Sequence, residues 1–295
     1  MAASTRVADS TTVRTAFAAP PLVRGTFRLL EHAAPAAGAW WTTRLWCTVP
    51  SAGSARADNR PRPGSIRSLR MPGGRSVVTE TWGTGPAVYL VHGWGGWRGQ
   101  LGSFVDALTS RGYRAIAFDA PSHGDSPAGA LGPHQSTLGE LAEALRTVVD
   151  HHGSPAAIVG HSLGCAAAAV AIRDGMSVPR LGFVAPVAQP IGFTTEMARG
   201  LGFGARIHRR MIRRLELLVG RPMSDFDLLT MSQGAGLPPT LIVHDHDDRE
   251  VGHEQAELLV GAWPQAELVS TSGLGHRRIL RDRDVVDLIT TFVAR

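Results

Sequence analysis

The pentapeptide Gly160-His161-Ser162-Leu163-Gly164, set directly after the apolar run Ala156-Ala157-Ile158-Val159, constrains the fold of this chain more than any other segment. A strand that enters G-x-S-x-G and turns at once into a helix holds its serine on a sharp, strained bend. Side chains at Gly160 and Gly164 would collide with neighbouring backbone in so tight a turn, and glycine removes that obstacle. The small residues Cys165-Ala166-Ala167-Ala168-Ala169-Val170 then continue as a helix able to lie close against a sheet. Open α/β sheets bind ligands at the carboxyl ends of their strands, where this serine would stand. Glycine-rich turns also serve purely structural ends, so the order of the neighbouring segments decides.

Three further strand ends carry polar groups. Ala87-Val88-Tyr89-Leu90-Val91 reads as a buried strand and runs into His92-Gly93-Trp94-Gly95-Gly96. Thr240-Leu241-Ile242-Val243 leads into His244-Asp245-His246-Asp247-Asp248-Arg249-Glu250-Val251. Ala266-Glu267-Leu268-Val269 precedes Gly273-Leu274-Gly275-His276. Serine, acid and histidine thus follow in that chain order, each just beyond a predicted strand. A serine hydroxyl is a weak nucleophile and needs an adjacent base. Imidazole, with an ordinary pKa of about 6.5, can take the proton and return it. A carboxylate fixes the imidazole tautomer and stabilises the imidazolium. Backbone N–H groups of a glycine-rich loop, with the N–H after the nucleophile, can hold a developing oxyanion. Those are the amides of Trp94 and Leu163.

Taken together, the segments resemble the α/β-hydrolase superfamily from roughly Ile66 to the C-terminus. Asp119-Ala120-Pro121-Ser122-His123-Gly124-Asp125-Ser126 is similar to the family's D-x-R-G-H-G-x-S loop, with Pro121 in place of arginine and Ser122 in place of glycine. The glycine-tryptophan loop and the Gly-Leu-Gly-His ending resemble serine esterase and lipase-like members. Haloalkane dehalogenases and epoxide hydrolases carry aspartate where this chain has Ser162. The resemblance implies Ser162 as nucleophile, His276 as base and, by spacing from His244, Asp248 as the acid, with Asp247 as its adjacent rival. It implies hydrolysis of carboxylic esters or thioesters through an acyl-enzyme, with a small-molecule ester as substrate and no cofactor. Acyl transfer to an alcohol or thiol with the same triad, and a non-catalytic binding module on the same fold, are the alternatives. A metal shared by the His244–Asp248 cluster is not expected, because consecutive side chains at a strand end point in opposite directions. Asp245 and His246 are expected in solvent or capping a helix, and His161 as a packing residue. His92 is expected to bond loop backbone, and His123 to be a surface or loop histidine.

The 295 residues, 43% of them hydrophobic, suffice for one large core. Two cysteines, Cys47 and Cys165, make no disulfide framework. Met1 to Phe17 lack the apolar centre of a secretory signal, and no stretch approaches a membrane span. A soluble, cytoplasmic protein is the expectation. The net charge of +5 comes entirely from arginine. The arginines are mostly scattered and no nucleic-acid motif accompanies them, so nucleic acid is not an expected partner.

The fold class that follows is α/β: a mostly parallel, eight-stranded type of sheet with helices on both faces and a helical cap. Residues 1–64 read as an N-terminal extension, disordered to about Pro20, with a Trp-bearing helix in Phe27 to Val49 and a linker from Ser51 to Gly64. Pro35 suits a helix start. That helix reads as docked on the body. Contact with a membrane surface is the second reading, disfavoured because basic residues do not line its opposite face. Residues 65–295 read as the catalytic body, with a helix over Gln100 to Arg111 and a cap insert over 187–236. In the insert, Ile207, Met211, Leu215 and Leu218 recur on one helical face. Arg206, Arg209, Arg210, Arg213 and Arg214 occupy much of the rest and read as a solvated face. Met211 and Leu215 above the serine, with Trp94 and Trp97 at the mouth, predict an apolar acyl site.

Overall fold

A computed structural model describes residues 19–50, 61–233 and 237–295. The expected disorder before Pro20 and the expected linker over Ser51–Gly64 fall mostly outside the described residues. One sheet organises the body. Its strands are β1 (Ser65–Arg70), β2 (Ser76–Trp82), β3 (Ala87–Val91), β4 (Arg114–Asp119), β5 (Pro155–His161), β6 (Leu181–Val184), β7 (Thr240–Asp245) and β8 (Ala266–Thr271). They lie in the order β1-β2-β4-β3-β5-β6-β7-β8. Only β1–β2 and β2–β4 pair antiparallel.

Parallel strands need crossovers, and helices supply them. These are α3 (Ser103–Thr109), α4 (Leu138–His152), α5 (Leu163–Arg173), α8 (Glu254–Ala262) and α10 (Arg283–Val293), with a short α9 (Gly275–Arg278) before the last. The twofold alternation of strand side chains divides the core. Tyr89 and Val91 face a layer built on α4 and α5, whereas Val88 and Leu90 face Phe104 and Leu108 of α3 and Ile289 of α10. Thr137 caps α4 by accepting the Glu140 N–H at 3.1 Å. The helix expected over Gln100 to Arg111 is instead a 3₁₀ turn, Arg98–Leu101, followed by α3. The Asp119 carboxylate accepts both the Arg98 N–H and its guanidinium, holding the start of the segment as a tight turn.

Two further helices precede β1, namely α1 (Pro21–Ala33) and α2 (Pro35–Trp46). Pro35 does open a helix, and Pro21 opens an additional one that the weak pattern before Phe27 had not revealed. Within 187–236 lie α6 (Gly192–Leu201), α7 (Ala205–Val219) and the 3₁₀ turns Met223–Phe226 and Leu228–Gln233. Phe27 of α1 is fully buried against Trp41 at 4.8 Å and Phe203 at 5.8 Å, ring centre to ring centre. Glu31 accepts the N–H groups of Gly204, Arg206 and Ile207, and so caps the start of α7. Gly38 lets α2 approach α7 closely, since a Cβ there would come within 2.4 Å of Ile207 Cδ1. The N-terminal helices therefore pack on α6 and α7 as well as on the sheet-bearing body.

Candidate active site

Ser162 ends β5 and opens α5 with φ +52° and ψ −121°, a conformation that costs a non-glycine residue roughly 1–3 kcal/mol. Packing around the bend holds it. A Cβ on Gly164 would lie 2.4 Å from the oxygen of Val91 and 2.6 Å from that of His92, and one on Gly160 would lie 3.0 Å from Cys165 Cα. Both glycines thus allow β3, β5 and α5 to meet without intervening side chains. The Ser162 N–H donates to Val184 O at 3.0 Å, which ties the bend to β6.

His276 Nδ1 donates to Asp248 Oδ2 at 2.6 Å. Asp248 Oδ1 accepts the N–H groups of Glu250 and Val251, at 2.8 and 2.9 Å. His244 Nε2 stands 3.3 Å from Asp248 Oδ2 and 3.0 Å from Val251 O. Burial opposes ionisation of Asp248, but the bonds from His244 and His276 prevail and hold its carboxyl well below the usual carboxylate range. Asp247 is exposed and accepts the Gly273 N–H at 2.8 Å, away from the imidazole. Ser162 and His276 line one cavity. No hydrogen bond joins the two side chains among the described residues, and such bonds are often long before substrate arrives.

Asp245 corrects an expectation. It is fully buried, not solvated. Its carboxylate accepts the Thr271 hydroxyl at 2.7 Å and the N–H groups of Leu274 at 3.1 Å, Gly275 at 2.9 Å and Asp247 at 3.0 Å. Burial alone would raise its pKa, yet these donors lower it. The side chain clamps the loop that delivers His276. Pairing β7 with β8 brings Asp245 opposite Thr271, a register invisible in the local acid-rich run. No metal-ligating group of three or more His, Cys, Asp or Glu occurs among the described residues.

The glycine-rich loop after β3 is held from two sides. Gln100 Oε1 accepts the Gly93 N–H at 2.9 Å, and Trp94 Nε1 donates to Thr48 O at 3.1 Å. Gln100 was not singled out by the sequence, because a lone glutamine on a glycine-rich stretch carries no distinguishing pattern. The amides of Trp94 and Leu163 make no hydrogen bond among the described residues, and both residues line the cavity. His92 accepts the Ala120 N–H through Nε2 and bonds Gly93 O through Nδ1, so burial keeps it neutral, with its pKa pushed down to about 4. His123 is buried rather than on the surface, its ring against those of His92 and Trp94. His161 Nε2 bonds the main-chain oxygen of His276 at 2.9 Å, which makes it more than a packing residue.

The cavity has a volume of about 750 Å³. Leu45 and Trp46 of α2, Leu215 and Val219 of α7, Ile191 and Phe226 make much of its wall apolar. Trp94 and Trp97 line it, the latter buried instead of standing at the mouth. Met211 does not line it: it is buried in the core, and of α7 only Leu215 and Val219, on its second half, reach the cavity.

The Alpha/beta hydrolase family matches residues 88–288, more than half of the 295. The chain belongs to the α/β-hydrolase family. The matched span of this hydrolase runs from β3 into α10 and contains Ser162, Asp248, His276 and the glycine-rich loop, whereas Leu45 and Trp46 of α2 lie outside it. Among solved structures, the esterase EaEST from Exiguobacterium antarcticum superposes with a TM-score of 0.60 at 18% identity, covering 78% of this chain and 100% of that one. A bromoperoxidase from Bacillus anthracis superposes at 0.58 and 17% identity, covering 78% and 99%. At such identities the likeness extends to the fold alone. A curated relative, the pimeloyl-[acyl-carrier protein] methyl ester esterase of Methylococcus capsulatus, is 40% identical over 97 residues. That match spans 33% of this chain and 35% of the relative.

Proposed function

We propose that this α/β-hydrolase cleaves carboxylic esters of small to medium apolar acyl groups through an acyl-enzyme on Ser162. One observation carries the reading: the strained Ser162, His276 with Asp248 bonded behind it, and the residues of two unbonded amides, Trp94 and Leu163, line a single largely apolar cavity. His276, with Nδ1 held by Asp248, takes the Oγ proton on Nε2 as Oγ bonds the acyl carbon. The N–H groups of Trp94 and Leu163 receive the oxyanion, the latter also at the positive end of α5. Collapse breaks the bond to the alkoxide, which leaves with the proton from His276. Water repeats the sequence and frees the acid. Residues 187–236 serve as the cap, and α2 completes the wall. The ester chemistry of the Methylococcus relative supports an ester substrate. Fluorophosphonate labelling tests the reading: wild type should be modified and Ser162→Ala should not. An unlabelled wild type would favour the binding-module alternative. A p-nitrophenyl ester series should then show a preference for uncharged aliphatic acyl chains.

A further inference from the structure

The layer formed by α1, α2 and α7 has an outer face of unusual chemistry. Arg206, Arg209, Arg210, Arg213 and Arg214 are all exposed along α7. Elsewhere many arginines find carboxylates, as Arg62 does with Asp106, Arg111 with Asp287 and Arg173 with Asp225. The five on α7 have no carboxylate partner among the described residues. The acids on these helices are turned to backbone instead. Glu31 caps α7, and Glu216 accepts the Met223 N–H at 3.1 Å. Among the described residues the face is thus positive with no carboxylate paired to its arginines.

Large apolar side chains are also exposed on these three helices. Leu217 is 83% exposed, Leu22 82%, Leu29 67% and Trp40 50%, with Leu45 and Leu218 also exposed. The Arg44 guanidinium lies over the Trp40 ring, 5.2 Å from its centre. Gly38 meets Ile207 near the start of both helices, while Leu45, Leu215 and Val219 line the cavity at their ends. Hence α2 and α7 run side by side in the same direction. The end with Leu45, Leu217 and Leu218 adjoins the cavity.

We propose that this face docks on an anionic lipid bilayer, with the α7 arginines on lipid phosphates and Leu217, Leu218 and Trp40 in the interfacial layer. Arginines near an anionic surface and leucine or tryptophan at the acyl boundary are the two contributions that hold a helix in a membrane plane. A nucleic acid would engage the arginines but leave Leu22, Leu29 and Leu217 in water. No helix among the described residues is long and apolar enough to cross a membrane, so the contact would be peripheral. The inference stands apart from the proposed hydrolysis.

Co-sedimentation of the full chain with vesicles tests it. The protein should pellet with phosphatidylcholine–phosphatidylglycerol vesicles, remain in the supernatant with phosphatidylcholine alone, and be released progressively by salt. Each arginine near the surface contributes about fivefold to partitioning, so the Arg209→Gln, Arg210→Gln, Arg213→Gln, Arg214→Gln variant should bind roughly a hundredfold more weakly or worse. Leu217→Ser with Leu218→Ser should weaken binding roughly tenfold and keep the salt dependence. Circular dichroism and fluorophosphonate labelling of each variant report folding and chemistry separately. If the arginine variant fails to fold, the lipid and salt dependence of wild type still decides. Failure of wild type to pellet with anionic vesicles, or equal binding to both compositions, overturns the proposal. Capture by polyglutamate without vesicle binding also overturns it and assigns the face to an acidic protein.

Discussion

His161 donates its Nε2–H to the main-chain oxygen of His276 at 2.9 Å, and the two rings lie 4.6 Å apart. The residue before the serine thereby holds the backbone of the proposed base. A carbonyl can only accept, so Nε2 carries the hydrogen, and the buried Nδ1 has no hydrogen-bond partner among the described residues. Burial, reinforced by the nearby His276, keeps the ring neutral with a pKa well below the ordinary imidazole value.

Removing that donor should misplace the imidazole without emptying the cavity. His161→Leu is expected to lower kcat about 10- to 100-fold with little change in KM, since small displacements of a catalytic group are costly. His161→Gln, which retains a side-chain N–H, should recover part of the loss. Steady-state kinetics on a p-nitrophenyl ester, read as separate kcat and KM, checks this.

Asp248 and Asp247 are adjacent but bond different partners, His276 and the Gly273 N–H. Asp248→Asn should cost on the order of 10⁴ in kcat, as loss of the imidazole-orienting carboxylate does in serine triads. Asp247→Asn keeps an acceptor oxygen for Gly273 and should stay near wild type. The opposite ranking would transfer the role of acid to Asp247.

Asp245 accepts four hydrogen bonds that organise the turn before His276. Asp245→Ala leaves those donors without their acceptor and should destabilise the fold by about 2–4 kcal/mol, with Asp245→Asn affected less. Urea unfolding curves measure the difference. Activity of Asp245→Ala should fall even where the protein remains folded, because the loop carrying His276 loosens.

Acid should destabilise the protein well before its carboxylates protonate. Burial lowers His92 to about 4, and burial together with nearby His92 lowers His123 to about 3. Unfolded, each would titrate at about 6.5. Because the unfolded chain binds more protons in between, stability is fully present above about pH 6.5 and drains as pH falls toward 4. His92 alone accounts for roughly 3 kcal/mol of that loss. Thermal midpoints measured across this window should drop steadily. His123→Asn should flatten the slope.

Local physics made the scaffold legible from the chain alone. β-Branched and apolar runs marked the strands, Pro35 marked a helix start, and paired glycines marked the bend at Ser162. Short-range sterics and hydrophobic period are properties of neighbours in sequence, so they can be read there. The family resemblance, aligned by spacing from His244, favoured Asp248 over Asp247, and Asp248 is the carboxylate hydrogen-bonded to His276. Packing between distant segments decided the rest. Asp245 is buried because β8 lies beside β7, Met211 is drawn into the core and away from the cavity, and Gln100 matters only once its loop folds back on Gly93. The exposed arginines of α7 lie far along the chain from α2, so no local pattern around Trp40 includes them. Such pairings are set by which faces meet, and no window of sequence contains both faces.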